Sequence, residues 1–303
     1  MAKELIDLHM HSYYSDDGEY SPTELVQKCK ERGITIMSIT DHNCVRAISE
    51  GQQAAKDAGI RFLPGIEIDC TFQGVNLHVL GYGIDYTNDD FYLLEKNIEE
   101  QHMHASLQML LSTQELGFHI TENDMAELAK NNYWKDCWTG EMFAELLLNR
   151  PEYNDHPLLS PYRSGGTRAD NPYVNFYWDY YAQGKACHAK IIYPSLMQII
   201  RTIHNSGGIA VLAHPGINLQ NHYELLIPIL NAGLDGIEVF SSYHDAPATE
   251  YFLGKCHEFH LLPTCGSDFH GKTKPTVRVG HINCTINSEE MAAGLNSYFP
   301  QVN

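Results

Sequence analysis

Short apolar segments that end in histidine or aspartate recur along this chain, and helical patterns lie between them. Residues 5–9 read as a first strand, Leu5-Ile6-Asp7-Leu8-His9. Ser21-Pro22-Thr23-Glu24 opens a helix, with Ser21 as N-cap, Pro22 at the first helical position and Gly33 at its end. Residues 34–40 read as a second strand and 45–58 as a second helix. Strands at 66–70 and 75–81 flank a Gln73-Gly74 turn. From Ser195 onward, helices at 195–205, 223–232 and 249–259 alternate with strands at 209–213, 236–240 and 262–266, and a last strand is expected at 277–283. Such alternation with short connections restricts the chain to an α/β fold around parallel strands.

The pattern breaks in the middle. Residues 91–116 read as one long helix and 122–130 as another, and 133–184 are rich in aromatic residues, Asn, Pro and Gly. Residues 86–190 are therefore expected to form an inserted, mainly helical cap, with 1–85 and 191–303 making up the α/β body. The 303 residues suit one large domain with such an insertion. Acidic residues number 38 against 20 basic ones, a formal net charge of −18. That balance argues against a protein held on long nucleic acid by bulk charge. It leaves room for a phosphorylated substrate, because local metal cations reverse the charge inside a cleft. No apolar run approaches the ~18 residues of a membrane span, and residues 1–7 lack a signal-peptide pattern. Eight scattered cysteines without a CxxC pair fit free thiols in a reducing cytoplasm.

Histidine is abundant, 17 in all, and its placement is informative. His9 and His11 end the first strand, with Asp16 five residues on; Asp41-His42 end the second. Glu67 lies in the third strand and His78 in its hairpin partner. His214 ends the strand at 209–213, and Asp268 and His270 follow the one at 262–266. In a barrel of parallel strands the C-terminal ends converge on one face. Residues two apart leave the same side of a strand, which pairs His9 with His11 and Asp268 with His270. Imidazole and carboxylate together suit Zn, Mn or Fe, and nine such groups are enough for two or three ions. Each residue also fits a structural role: Asp16 as a turn residue, Asp41 as a helix cap, Glu67 as a buried paired acid, His78 as a core histidine. Their recurrence at equivalent strand ends favours the metal site.

Asp7-Leu8-His9-Met10-His11-Ser12 with Ser15-Asp16-Asp17-Gly18 resembles the first motif of the PHP (polymerase and histidinol phosphatase) family. Ile39-Thr40-Asp41-His42, Pro64-Gly65-Ile66-Glu67, Ala213-His214-Pro215 and Gly266-Ser267-Asp268-Phe269-His270 resemble its later motifs, in the same order. The resemblance covers about 1–84 and 195–283, and the long insertion resembles that of stand-alone PHP phosphoesterases. It implies a distorted (β/α)7 barrel with a trinuclear site holding Mn, Fe or Zn. It assigns His9, His11, Glu67 and Asp268 to one ion, Glu67, His78 and His214 to a second, and Asp16, His42 and His270 to a third.

A hydroxide bridging two such ions is the expected nucleophile on a phosphoryl group. Beside Asp268, His244 is the candidate general acid, with Asp17 a weaker one. Arg168, Lys185 and Arg163 are candidate substrate contacts, with Arg278 a further one; a guanidinium can grip a second phosphate with two parallel hydrogen bonds. The aromatic run from Tyr173 to Tyr181 fits either base stacking or the core of the cap. Through the resemblance, the expected substrate is a small phosphorylated nucleotide or sugar, for example a 3′,5′-bisphosphonucleoside or a ribose cyclic phosphate. Short RNA cut from its 5′ end, histidinol phosphate, and a non-catalytic metal-binding module are the alternatives.

Overall fold

The computed structural model describes residues 5–282, 284 and 288–300. Among the described residues eight strands carry the fold: β1 (Ile6–Asp7), β2 (Ile36–Met37), β3 (Arg61–Phe62), β4 (Gly65–Phe72), β5 (Val75–Tyr82), β6 (Ile209–Leu212), β7 (Gly236–Ser241) and β8 (Leu262–Gly266). β1, β2 and β3 pair in parallel. β4, β5 and β6 are antiparallel neighbours, and β6, β7 and β8 run parallel. β3 and β4 are one strand interrupted at Leu63-Pro64, where proline has no N–H for the ladder. Counted so, seven strands form a ring.

Backbone hydrogen bonds close the ring at both seams. Leu8 N donates to Cys265 O (3.1 Å), Asp268 N to His9 O (2.8 Å) and His11 N to Phe269 O (2.9 Å), joining β1 to β8. Asn43 N donates to Glu67 O (2.7 Å) and Glu67 N to Asp41 O (3.2 Å), joining the end of β2 to β4. The C-terminal ends of β1, β2 and β8 thus meet the middle of β4.

Helices cover the ring: α1 (Pro22–Arg32) and α2 (Ala47–Ala58) on the first half. The segment between β5 and β6 holds α3 (Asp89–Glu115), α4 (Glu122–Ala129), α5 (Gly140–Asn149), α6 (Pro172–Tyr180) and, leading back to the barrel, α7 (Leu196–Asn205). The second half carries α8 (Pro215–Asn218), α9 (Leu226–Leu230), α10 (Ala246–Phe259) and α11 (Ser288–Tyr298). Local chemistry starts several of them. Ser21 and Glu24 make a reciprocal capping box on α1, and Ser195 and Gln198 make one on α7. Leu8, Ile66, Val79, Val211 and Ile237 are buried in the barrel core. A separate cluster in the insertion gathers Phe118, Met125, Phe143, Leu147, Phe176 and Tyr181. α3 ties the two together, with Phe91 in the barrel core and Met109 and Leu110 in the other.

Three expectations change. Residues 223–232 split into a 3-10 turn (Tyr223–Leu225) and α9, whose first turn accommodates Pro228. Residues 277–282 form turns rather than a strand, with Val277 N donating to Lys274 O and His281 N to Arg278 O. The buried carboxylate of Asp7 draws in this backbone, accepting from Gly280 N (2.8 Å). Asn283, the end of that expected strand, lies outside the described residues. Asp41 is not a helix cap: its carboxylate accepts from Ser12 N and Ser12 Oγ (2.6 Å), and Arg46 precedes α2.

Candidate metal centre

The strand ends bring a dense set of nitrogen and oxygen atoms together. His9 Nε2 lies 3.1 Å from His11 Nε2 and 2.9 Å from Glu67 Oε2. His11 Nε2 is 3.1 Å from the same carboxylate oxygen, and Asp268 Oδ1 lies 3.3 and 3.2 Å from the two imidazoles. The other oxygen of Glu67, Oε1, lies 2.9 Å from His78 Nδ1 and 3.0 Å from His214 Nε2. Glu67 therefore faces two sets at once. A third set gathers His11, Asp17, His42 and His270, with Asp17 Oδ2 3.0 Å from His270 Nε2. His42 and His78 also group with Asp69, whose Oδ1 is 3.0 Å from His78 Nε2.

Neighbouring groups aim these nitrogens. His9 Nδ1 donates to Glu238 Oε1 (2.9 Å), His11 Nδ1 to Ser15 Oγ (3.2 Å) and His270 Nδ1 to the Asp268 carbonyl (2.9 Å). A ring that donates from Nδ1 presents a bare Nε2. Asp268 Oδ1, His270 Nε2 and His42 Nδ1 are buried in this cluster, and none makes a hydrogen bond of good geometry. Such atoms are costly unless something fills the space between them. Donors held about 2.0–2.2 Å from one ion lie roughly 2.8–3.6 Å apart, the range seen here. These residues therefore fit divalent transition metals of mixed nitrogen and oxygen preference.

Electrostatics follow from burial. Around His9, burial opposes the charge, but the carboxylates of Glu67, Glu238 and Asp268 outweigh it and raise the pKa. His11 is pushed down to about 4 by burial and by His270 and His42. Asp17 is held well below the usual carboxylate range, against burial, by His270 and the neighbouring histidines. Two of the strand-end residues, His214 (φ 22°) and Asp268 (φ 56°), occupy the left-handed region that non-glycine residues avoid. His214 N donating to Glu238 Oε2 (2.9 Å) and Asp268 N donating to His9 O hold them there.

The PHP domain family model matches residues 7–154, from β1 through the first helices of the insertion. Residues 7–154 are thus similar to a PHP domain. A 5′-3′ exoribonuclease of Haemophilus influenzae is 27% identical over 87% of this chain and 89% of its own length. A 3′,5′-nucleoside bisphosphate phosphatase of Chromobacterium violaceum is 28% identical over 91% of this chain and 90% of its own. A phosphoribosyl 1,2-cyclic phosphate 1,2-diphosphodiesterase of Eggerthella lenta is 26% identical over 90% and 97%. A solved structure of an amidohydrolase from Chromobacterium violaceum, with bound sulfate and no metal, is 27% identical with a TM-score of 0.75, covering 95% of this chain and 96% of that one.

Of the residues expected in this site, His9, His11, His42, Glu67, His78, His214, Asp268 and His270 converge. Asp16 does not join them: its carboxylate turns toward His102 of α3 (3.5 Å), and Asp17 takes the place facing His270. His244 is not available as a general acid. Its Nδ1 donates to Val239 O (2.8 Å) and its Nε2 accepts from Gly216 N (3.0 Å), so both ring nitrogens are spent on the backbone. Arg163 is likewise committed inside the cap, to Leu148 O and Tyr153 O (3.1 Å each). Arg168 lines a groove beside the site, but its guanidinium pairs with Asp179 at 3.0 and 3.1 Å. Lys185 lines the same groove and is exposed; Arg278 lies outside it. Within the aromatic run Phe176 and Tyr181 are core, and Tyr177 and Trp178 line the cavity. Glu238, Asp69, Lys274 and Glu141 were not expected. Asp69 was within reach, because Glu67 and Asp69 share a strand face as His9 and His11 do.

Proposed function

We propose that this enzyme hydrolyses phosphate ester bonds in a small phosphorylated nucleotide or sugar, with a 3′,5′-bisphosphonucleoside or a ribose cyclic phosphate as the leading substrates. One observation carries this reading: three sets of bare nitrogen and carboxylate donors at the floor of a cleft between barrel and cap. We assign His9, His11, Glu67 and Asp268 to one ion and Glu67, His78 and His214 to a second. A third would take His42, His270 and Asp17, with Mn, Fe or Zn as candidates. Such ions lower the pKa of bound water and neutralise charge on phosphoryl oxygens. The protein aims the ligands, through Glu238, Ser15 and Asp69, and screens the cleft from solvent with Tyr177 and Trp178 of the cap and Tyr193 just after it. We take residues 86–190 as the part that sets substrate choice.

The groove leading from this cleft holds about 900 Å³, toward the upper end of the ~300–1,000 Å³ usual for small-ligand sites. A groove of that volume supports a second reading, short RNA entered from its 5′ end, as the Haemophilus influenzae relative is named for. No described helix is long and apolar enough to cross a membrane. Seven buried cysteines without a disulfide support a cytoplasmic setting.

The test pairs metal analysis with phosphate release from a panel in added Mn²⁺: a 3′,5′-bisphosphonucleoside, a ribose cyclic phosphate, histidinol phosphate and a 5′-phosphorylated dinucleotide. The expected result is two to three ions per chain and turnover of one of the first two compounds. Preferential cleavage of the dinucleotide would favour the RNA reading. Bound metal with no turnover of any compound would overturn both.

A further inference from the structure

The cleft over the candidate metal centre is lined by six carboxylates: Asp16, Asp17, Glu67, Asp69, Glu141 and Asp268. Among the described residues lining it there is one lysine, Lys274, and no arginine. Lys274 also lines the neighbouring groove, so it stands where the two spaces meet. Its side chain is 8% exposed. Nζ donates to Asp268 Oδ2, while Asp268 Oδ1 faces His9 and His11. The Tyr243 ring lies beside it, 5.2 Å from Nζ to the ring centre.

An ammonium group has three donors. Asp268 takes one and the Tyr243 phenol can take a second, which leaves a donor for a ligand. A dianionic phosphate entering a cleft with this charge needs every cation the protein can place there. Asp268 pins the lysine head within one carboxylate of the donors that converge on Glu67. A phosphoryl group seated over those donors is within its reach.

We propose that Lys274 is a catalytic residue of this site: its ammonium hydrogen-bonds a non-bridging oxygen of the phosphoryl group under attack, spanning Asp268 and the substrate. The proposal rests on the phosphoesterase reading for its substrate. It predicts where inorganic phosphate binds whether or not a natural substrate is in hand.

The experiment compares wild type, Lys274→Met and Lys274→Arg, each loaded with Mn²⁺ and checked for metal content. Inorganic phosphate affinity is measured by calorimetry, and kcat/KM on whichever panel compound the wild type cleaves. Lys274→Met is expected to keep its metal, bind phosphate about tenfold more weakly and lose about 100-fold in kcat/KM. Lys274→Arg should recover part of both, which shows that the fold tolerates the position. Unchanged phosphate affinity in fully metallated Lys274→Met overturns the proposal. So do losses that track loss of metal, which would make Lys274 a positioning residue for Asp268. A wild type that cleaves nothing would overturn the phosphoesterase reading, and the phosphate affinities would still decide the role of Lys274.

Discussion

Glu238 stands behind His9 and accepts from its Nδ1 at 2.9 Å, and its other oxygen accepts from His214 N at 2.9 Å. One buried carboxylate thus orients two proposed ligands from β1 and the end of β6. Gly266 makes room for it: a Cβ there would lie 2.1 Å from His9 Cβ and 2.6 Å from Glu238 Oε1. Replacing Glu238 with Gln keeps an acceptor but removes the charge that makes the imidazole a better donor to a metal. Glu238→Gln is expected to weaken metal affinity about 10- to 100-fold with little change in fold. Titration of the metal-free protein with Mn²⁺ checks this, and wild-type affinity in the variant would refute it. His9, His11, Glu67, His78 and Asp268 were legible because each sits at a strand end or strand position whose direction follows from a period of two. Glu238 was not, because its partner lies 229 residues away.

At the scale of the element, the turn after β1 decides which aspartate faces the site. Ser15 Oγ donates to Asp17 Oδ1 (3.0 Å) while accepting from His11 Nδ1 and from His42 N (3.3 Å). Gly18 lets the turn double back: a Cβ there would lie 1.9 Å from Ser12 O. The chain direction set by these contacts sends Asp17 inward and Asp16 toward His102 on α3. Asp17→Asn is expected to lose one metal ion per chain and most activity. Asp16→Asn should keep its metal content and lose less than about tenfold in kcat/KM. Metal analysis of the two variants separates the assignments, and the opposite order would restore Asp16 as the ligand.

Across the whole molecule, the insertion closes over the barrel and carries charge into the cleft. Glu141, from α5, is pushed up to about 7 by burial, with Asp17 adding to the effect. An acid whose pKa is higher in the folded than in the unfolded chain keeps a proton that unfolding releases. Its contribution to stability therefore falls as pH rises from about 4.5 to about 7, and is flat above that. Glu141→Gln removes this slope. The melting temperature of metal-free Glu141→Gln, relative to wild type, is expected to climb between pH 5 and pH 7.5. A constant difference across that range would show that Glu141 is not buried as a protonated acid.

The sequence by itself determined the α/β alternation, the helix starts at Ser21 and Ser195, and eight of the nine expected donors that converge. All of these depend on spacing within a few residues, through strand and helix periods and capping hydrogen bonds. Only the tertiary structure turned Asp17 toward His270 and Asp16 toward His102, spent both nitrogens of His244 on backbone, and committed Arg163 and Arg168 within the cap. It also brought Glu238 and Glu141 to the site from elements far apart in the chain. Those outcomes depend on how a loop turns and which surfaces pack, and no local period encodes the distance between residues separated by a hundred positions or more.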